Sequence, residues 1–252
     1  MERTNAYSLL DFLDNSPCNF FATATIQRYL DDNGFQELKQ SERWNLEKGG
    51  KYYVKKNDTA IFGFVIGETP LDQSGFNMIS AHSDSPCFRI KPNPEMLADG
   101  VLKLNTEVYG GPILYTWFDR PLSLAGRVIV RNPQNPARPI TKLIDFASPV
   151  LIIPHLAIHF NRNVNAGNPL SKQKDMLPIA AIVSDSMSKN NFLIDQIKER
   201  LEIADSKDIL DFDLMLYNCQ KSQLVGFNKE FICSGRIDDL SMAHAALSAL
   251  LN

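Results

Sequence analysis

Long apolar runs are missing from this chain of 252 residues. No stretch approaches the ~20 residues a helix needs to cross a bilayer, which argues against a membrane protein. The start, Met1-Glu2-Arg3-Thr4-Asn5, lacks the apolar core of a secretory signal, so the expected compartment is cytoplasmic. A dominant charge is missing too. The formal net charge is -3, from 26 Lys and Arg against 29 Asp and Glu, with the signs mixed along the chain. No basic block or stripe marks a nucleic-acid-binding face, so no nucleic-acid partner is expected. Cysteine is scarce: Cys18, Cys87, Cys219 and Cys233 form no CxxC pair. That spacing argues against a thiolate zinc site and favours buried thiols over disulfides. Internal repeats and low-complexity tracts are also absent.

What is present is a hydrophobic fraction of 44%, enough for one large domain or two modest ones. Residues 4–32 read as helix, restarted at Ser16-Pro17 and ended by Asn33-Gly34. Lys51–Val54 reads as a short strand and Asn57-Asp58 as a turn. Ala60–Ile66 and Phe76–Ala81 read as strands buried on both faces, because their apolar residues are nearly unbroken. From Lys91 to about Phe227 the texture changes to short β-like runs, Val101–Leu104, Ser123–Arg131, Val150–Ile153 and Asp213–Tyr217, with one helix at Asn191–Ile203. Phe231–Cys233 is again a strand, and Leu240–Leu251 an Ala- and Leu-rich helix. The expected organisation is an α/β domain built from 1–90 and 228–252, interrupted by a β-rich module at 91–227.

Two constellations carry chemistry. The first is Ala81-His82-Ser83-Asp84, a histidine expected at a strand's carboxyl end. A carboxylate two residues on can accept from the second imidazole nitrogen and fix the tautomer for metal binding. The bland alternative is a strand-end histidine bonded to a loop. The second is Arg236-Ile237-Asp238-Asp239, at a strand-to-helix junction. A carboxylate there can bridge two cations ~3.5–4 Å apart, or simply cap the helix. Asp238 is assigned to metal and Asp239 to the cap or first turn, with the cap reading open for both. Cys87, beside the first constellation, reads as a packing residue, and His244 as structural.

Longer blocks carry a resemblance. AHSDSPCFRIKP (81–92), EVYGGPILYTWFDRPLSLAGRVIV (107–130), IPHLAIHFNRNVN (153–165), SGRIDDL (234–240) and WNLEKGGKYY (44–53) run in family order over essentially the whole chain. The chain thereby resembles M18-type zinc aminopeptidases, the aspartyl aminopeptidase-like family, in their amino-terminal portion. The resemblance implies an α/β fold of zinc-peptidase type, a mixed sheet with helices interrupted by a β-rich dimerisation domain. It implies a metallo-aminopeptidase that releases N-terminal residues, Asp or Glu, from peptides through a water bridging two zinc ions, with Mn or Co as substitutes. By the same carry-over, His82 binds one metal, Asp238 bridges both, and Asp84 orients His82. His159 contacts substrate in a neighbouring subunit, with metal ligation as a rival role, and His155 is the weaker match. Dimers are implied to assemble into a dodecamer.

The sequence also departs from the family. Asn19-Phe20-Phe21-Ala22 stands where a Pro-Phe-His-Ala block is common. The Glu-Glu pair with the general base, a further Asp and the last His ligand, which the family supplies further along, do not occur within these 252 residues. The carboxyl-terminal part of the catalytic domain is therefore read as absent, and the chain alone as inactive. Two alternatives stand beside the enzyme reading: a non-catalytic fragment able to fold or dimerise, and an M42-type aminopeptidase, which shares the HxD and DD features but not the TWFDR and LAIH blocks.

Overall fold

Leu9, Phe12 and Leu13 recur at helical spacing, and helix α1 runs Glu2–Asp14 with Phe12 and Leu13 fully buried. The structure, a computed structural model, describes residues 2–183 and 191–252. Helix α2 covers Asn19–Asp32 and buries Phe20, Thr23, Ile26 and Leu30 along one stripe. Its terminus is the Asn33-Gly34 signal. Gly34 takes φ +79°, its N–H donates to the Asp31 carbonyl, and the Phe35 N–H donates to the Leu30 carbonyl. Those bonds satisfy carbonyls the last turn leaves open, and glycine adopts the left-handed conformation without a Cβ penalty. Next, β1 (Gln36–Glu37) pairs parallel with β2 (Lys51–Lys56), which pairs antiparallel with β3 (Ala60–Val65). The β2–β3 turn places Asn57 and Asp58 at φ 52° and 57°, a region these two residue types tolerate. A short helix, α3, spans Leu71–Ser74.

Two expectations fail in this stretch. β3 is an edge strand with Phe62 57% exposed, not a strand buried on both faces. Residues 76–81 form no strand, and Phe76, Met78 and Ile79 are 72%, 78% and 69% exposed. The reason is pairing. An apolar run becomes a buried strand only where neighbours take up its N–H and C=O groups. Among the described residues, 76–81 pairs with neither edge of the sheet β1-β2-β3 nor with any other strand.

The chain then builds β4 (Cys87–Ala98), β5 (Val101–Tyr109), β6 (Leu122–Val130), β7 (Ile140–Asp145), β8 (Ile179–Ile182), helix α4 (Phe192–Arg200) and β9 (Ile209–Asn218). The six strands form one antiparallel sheet in the order β7-β6-β9-β4-β5-β8. Asp99-Gly100 closes the β4–β5 hairpin, both at positive φ, as a two-residue turn demands. β6 lies inside the sheet, bonded on both edges, and is buried along most of its length. Gly126 on β6 is required there, since a Cβ would sit 2.0 Å from the Asp213 carbonyl oxygen. The core gathers Phe88, Leu104, Leu124, Val128, Leu214 and Leu216 with Leu193 and Ile197 of α4. Phe88 meets Trp117 edge-on at 4.9 Å. The Tyr217 hydroxyl donates to Asp145 at 2.7 Å, and burial, aided by that carboxylate, pushes its pKa above the ordinary tyrosine value. Val150–Ile153, expected to be β-like, forms only single bridges to Phe118, Leu122 and Ile179.

Beyond β9, the hairpin of β10 (Gln223–Val225) and β11 (Phe231–Cys233) leads into helix α5 (Ile237–Leu251). Leu240, Ala243 and Leu247 of α5 join Phe12, Leu30 and Tyr53 in a second core. Two compact units result: Met1–Ser85 with Lys221–Asn252 (unit 1), and Pro86–Gln220 (unit 2). These boundaries differ from the expected ones. A cut after residue 90 would sever β4, and a cut after 227 would fall inside the β10–β11 hairpin. Hydrogen-bonded ladders, not changes in composition, set the borders. The overall class is mixed α/β, as read from the sequence.

Candidate metal centre

Within unit 1, residues remote in sequence converge at the start of α5. His82 and Asp238 are brought together, with Nε2 3.4 Å from Asp238 Oδ1. Asp239 Oδ2 lies 3.7 Å from the same nitrogen and accepts the His82 backbone N–H at 3.2 Å. One ligand atom from each of His82, Asp238 and Asp239 fits within a 4.8 Å cluster. On the other side of the ring, Nδ1 lies 3.0 Å from the Asp84 carbonyl oxygen and 3.2 Å from its carboxylate. Asp84 thus faces the nitrogen opposite the cluster.

Local anchors hold this arrangement. The Ser83 hydroxyl donates to the Thr59 carbonyl at 2.9 Å, tying the irregular 76–85 segment to the β2–β3 turn. On the other strand of the site, Arg236 takes a left-handed conformation at φ 60°, and its Nη2 donates to the Leu13 carbonyl at 3.0 Å. That fixes the turn leading to the two acids. The peptide between Asp238 and Asp239 is cis, and neither residue has helical dihedrals.

Asp239 lies in the first turn of the helix, one of the two places its sequence reading allowed, and the cap position is Arg236, which makes no side-chain cap bond. Beyond that reading, the Asp239 carboxylate faces His82. Its signal was present in the adjacent acid pair at a strand-to-helix junction. Sequence alone does not show that both carboxylates can turn to one side.

The electrostatics favour a cation. Three carboxylates surround one imidazole, and the His82 and Asp238 side chains are open to solvent at 54% and 82%. For His82, partial desolvation is the largest influence and lowers the pKa. The Asp84 carbonyl, followed by the charges of Asp239, Asp84 and Asp238, outweighs it and leaves the pKa raised. One imidazole nitrogen and two carboxylate oxygens form a donor set that suits zinc. The 3.4 Å separation of Nε2 and Oδ1 is long for a hydrogen bond. It is close to the edge, about 3.3 Å, of a tetrahedron with zinc–ligand bonds of ~2.0–2.1 Å. The residues present fit that ion.

The remaining histidines separate by environment. His244 is buried on α5, where Nε2 lies 2.9 Å from the Ser8 hydroxyl and the ring packs on Phe12, so a structural role fits. Burial lowers its pKa. His159 is exposed on a turn of unit 2 next to Phe160, which is 80% exposed, so it is not a histidine sealed into its own core. His155 packs edge-on against Phe118 at 4.6 Å. Cys87 is buried at the start of β4.

Comparison with known proteins agrees with this chemistry. The sequence pattern of the family described as aminopeptidase I zinc metalloprotease (M18) matches residues 12–252. The chain is 52% identical over 246 residues to a probable M18 family aminopeptidase 2 of Clostridium novyi, covering 97% of this chain and 56% of that protein. A protein of the same description from Clostridium acetobutylicum is 50% identical over 248 residues, covering 98% and 57%. Among solved structures, the Ape4 and Nbr1 complex matches with a TM-score of 0.91 at 33% identity, over 99% of this chain and 50% of that one. The chain spans a little over half the length of the curated relatives it matches.

Proposed function

The chain belongs to the aminopeptidase I zinc metalloprotease (M18) family, and on that premise we propose that it carries part of the centre of a metal-dependent aminopeptidase. The M42-type alternative is set aside by the family match. The observation that carries the proposal is the convergence of His82, Asp238 and Asp239 within 4.8 Å. In this reading His82 Nε2 and the two carboxylates hold metal. Zinc, when bound, supplies Lewis-acid polarisation to hydrolysis. Asp84 engages Nδ1, which leaves the lone pair on Nε2 directed to the cluster and raises the basicity of the ring. Asp239 also fixes the His82 backbone, so the histidine is held at both main chain and ring.

The finer parts of the proposal rest on the resemblance. They are release of N-terminal Asp or Glu from peptides, two metal ions with Asp238 between them, Mn or Co as substitutes, a homo-oligomer built through unit 2, and a cytoplasmic setting. His159, exposed on unit 2, is proposed to contact substrate bound to a neighbouring copy. No Glu-Glu pair occurs in these residues to serve as base, so the 252-residue chain alone is proposed to be inactive.

Zinc titration by calorimetry tests the centre, and an assay on peptides with N-terminal Asp or Glu tests activity. The chain is expected to bind zinc, and His82→Ala to weaken binding by more than ~100-fold, since even groups behind the ligands are worth ~10–100-fold. No turnover is expected. Unchanged zinc affinity in His82→Ala would refute the centre, and robust turnover by this chain would refute the assignment of the missing base.

A further inference from the structure

We propose that unit 2 carries a binding site for a small carboxylate with an apolar body. A cavity of about 270 Å³ lies where β5 and β8 meet the segments 154–161 and 168–177. Its apolar lining comes from Phe118, Leu170, Leu177 and Ile179, which favours an organic body over a hydrated ion. Lys103 and Lys174 also line it, and among the described residues neither ammonium is held in an ion pair. Among the described residues the lining sets these two lysines against one acid, Asp175, whose Oδ2 accepts the Ser171 backbone N–H at 2.7 Å. Positive charge therefore prevails.

The walls are held from behind. The His155 backbone N–H donates to Asp119 Oδ1 at 3.0 Å, its ring abuts Phe118, and Nδ1 lies 2.9 Å from the Leu156 carbonyl oxygen. The Tyr115 ring lies 6.3 Å from that of His155, and its hydroxyl donates to the carbonyl of Asn168, a lining residue, at 2.5 Å. Lys103 stands opposite Ile179 in the β5–β8 register, so one cation and one apolar wall residue are set by the sheet itself. A cavity of roughly 150 Å³ is enough for benzene. The larger volume here suits a chain of about six carbons ending in a carboxylate. Inorganic phosphate matches the ammonium groups but not the apolar lining, since burying its charge there carries a desolvation penalty.

The test is titration of hexanoate into the 252-residue chain, followed by 1H–15N NMR, with hexylamine and inorganic phosphate as controls. Hexanoate is expected to bind in the millimolar range and to shift resonances around Phe118 and 154–179. Hexylamine, with the same body and opposite charge, and phosphate, with charge and no body, are expected to bind less well. Lys103→Met with Lys174→Met should weaken hexanoate by ~2- to 30-fold, the range of two exposed ion pairs. Circular dichroism shows whether the variant is folded, and the wild-type controls decide the matter without it. Equal binding of hexylamine or phosphate, no binding of hexanoate at tens of millimolar, or an unchanged affinity in the folded double variant would overturn the proposal.

Discussion

Units 1 and 2 draw on the same apolar residue types but build different architectures from them. Unit 2 closes its apolar residues into a six-stranded antiparallel sheet with a helix on it, and Phe88, Leu122, Leu214 and Ile153 reach essentially zero exposure. Unit 1 buries Phe12, Leu13 and Leu30 but leaves Phe62, Phe76, Met78 and Ile79 mostly in solvent. The charged cluster of His82, Asp238 and Asp239 sits in unit 1, where His82 follows the exposed run 76–79 by three residues. Hydrophobic composition does not reveal the difference, and strand pairing does.

Core truncation should sharpen that contrast most. Phe88→Ala removes a fully buried ring that meets Trp117, and should cost ~3–5 kcal/mol in denaturant unfolding. Phe62→Ala, at 57% exposure, should change stability by about 0.5 kcal/mol or less. Equal costs at the two positions would break the comparison. A smaller effect is expected at the cluster. Asp84→Asn keeps the shape but loses the carboxylate facing Nδ1, and should lower zinc affinity by ~10–100-fold by calorimetry, with far-UV circular dichroism unchanged.

The smallest effect is a pH dependence in the α1–α5 core. Burial lowers the pKa of His244 in the folded state, so the unfolded chain binds its proton first as pH falls. Stability from this residue is therefore full above the ordinary histidine value and declines as pH drops through it toward the folded pKa. His244→Gln should flatten the fall of the thermal midpoint between about pH 7 and 5, the range set by a free histidine near 6.5. An equally steep decline in the variant would show that other groups are responsible.

Much of this was legible in the residues, for local reasons. At the pairs Asn33-Gly34, Asn57-Asp58 and Asp99-Gly100, positive φ is adopted by Gly34, Asn57, Asp58, Asp99 and Gly100, and helix ends and tight turns are decided within a few residues. The first two were read correctly as a helix stop and a turn. His82 and Asp238 stood out by residue type, and the structure does bring them together. What was not legible depends on distant partners. The 76–81 run has strand composition, yet among the described residues it pairs with no strand. That Asp239 meets His82 was hidden, because sequence shows which residues follow one another, not which backbone N–H arrives from elsewhere. The unit borders were displaced for the same reason: β4 keeps its identity across a change in composition at residue 91.

The interior position of β6 has a consequence in time. Its amides are bonded to β7 on one side and β9 on the other, and its faces are covered. They can meet deuterium only when the sheet opens around them, whereas β8, at the margin with Ile182 80% exposed, can fray by itself. Followed by exchange, unit 2 should lose its protons from the margins inward. Gly126, whose missing Cβ leaves room for the Asp213 carbonyl, should be among the last backbone sites to keep a memory of the solvent in which the chain folded.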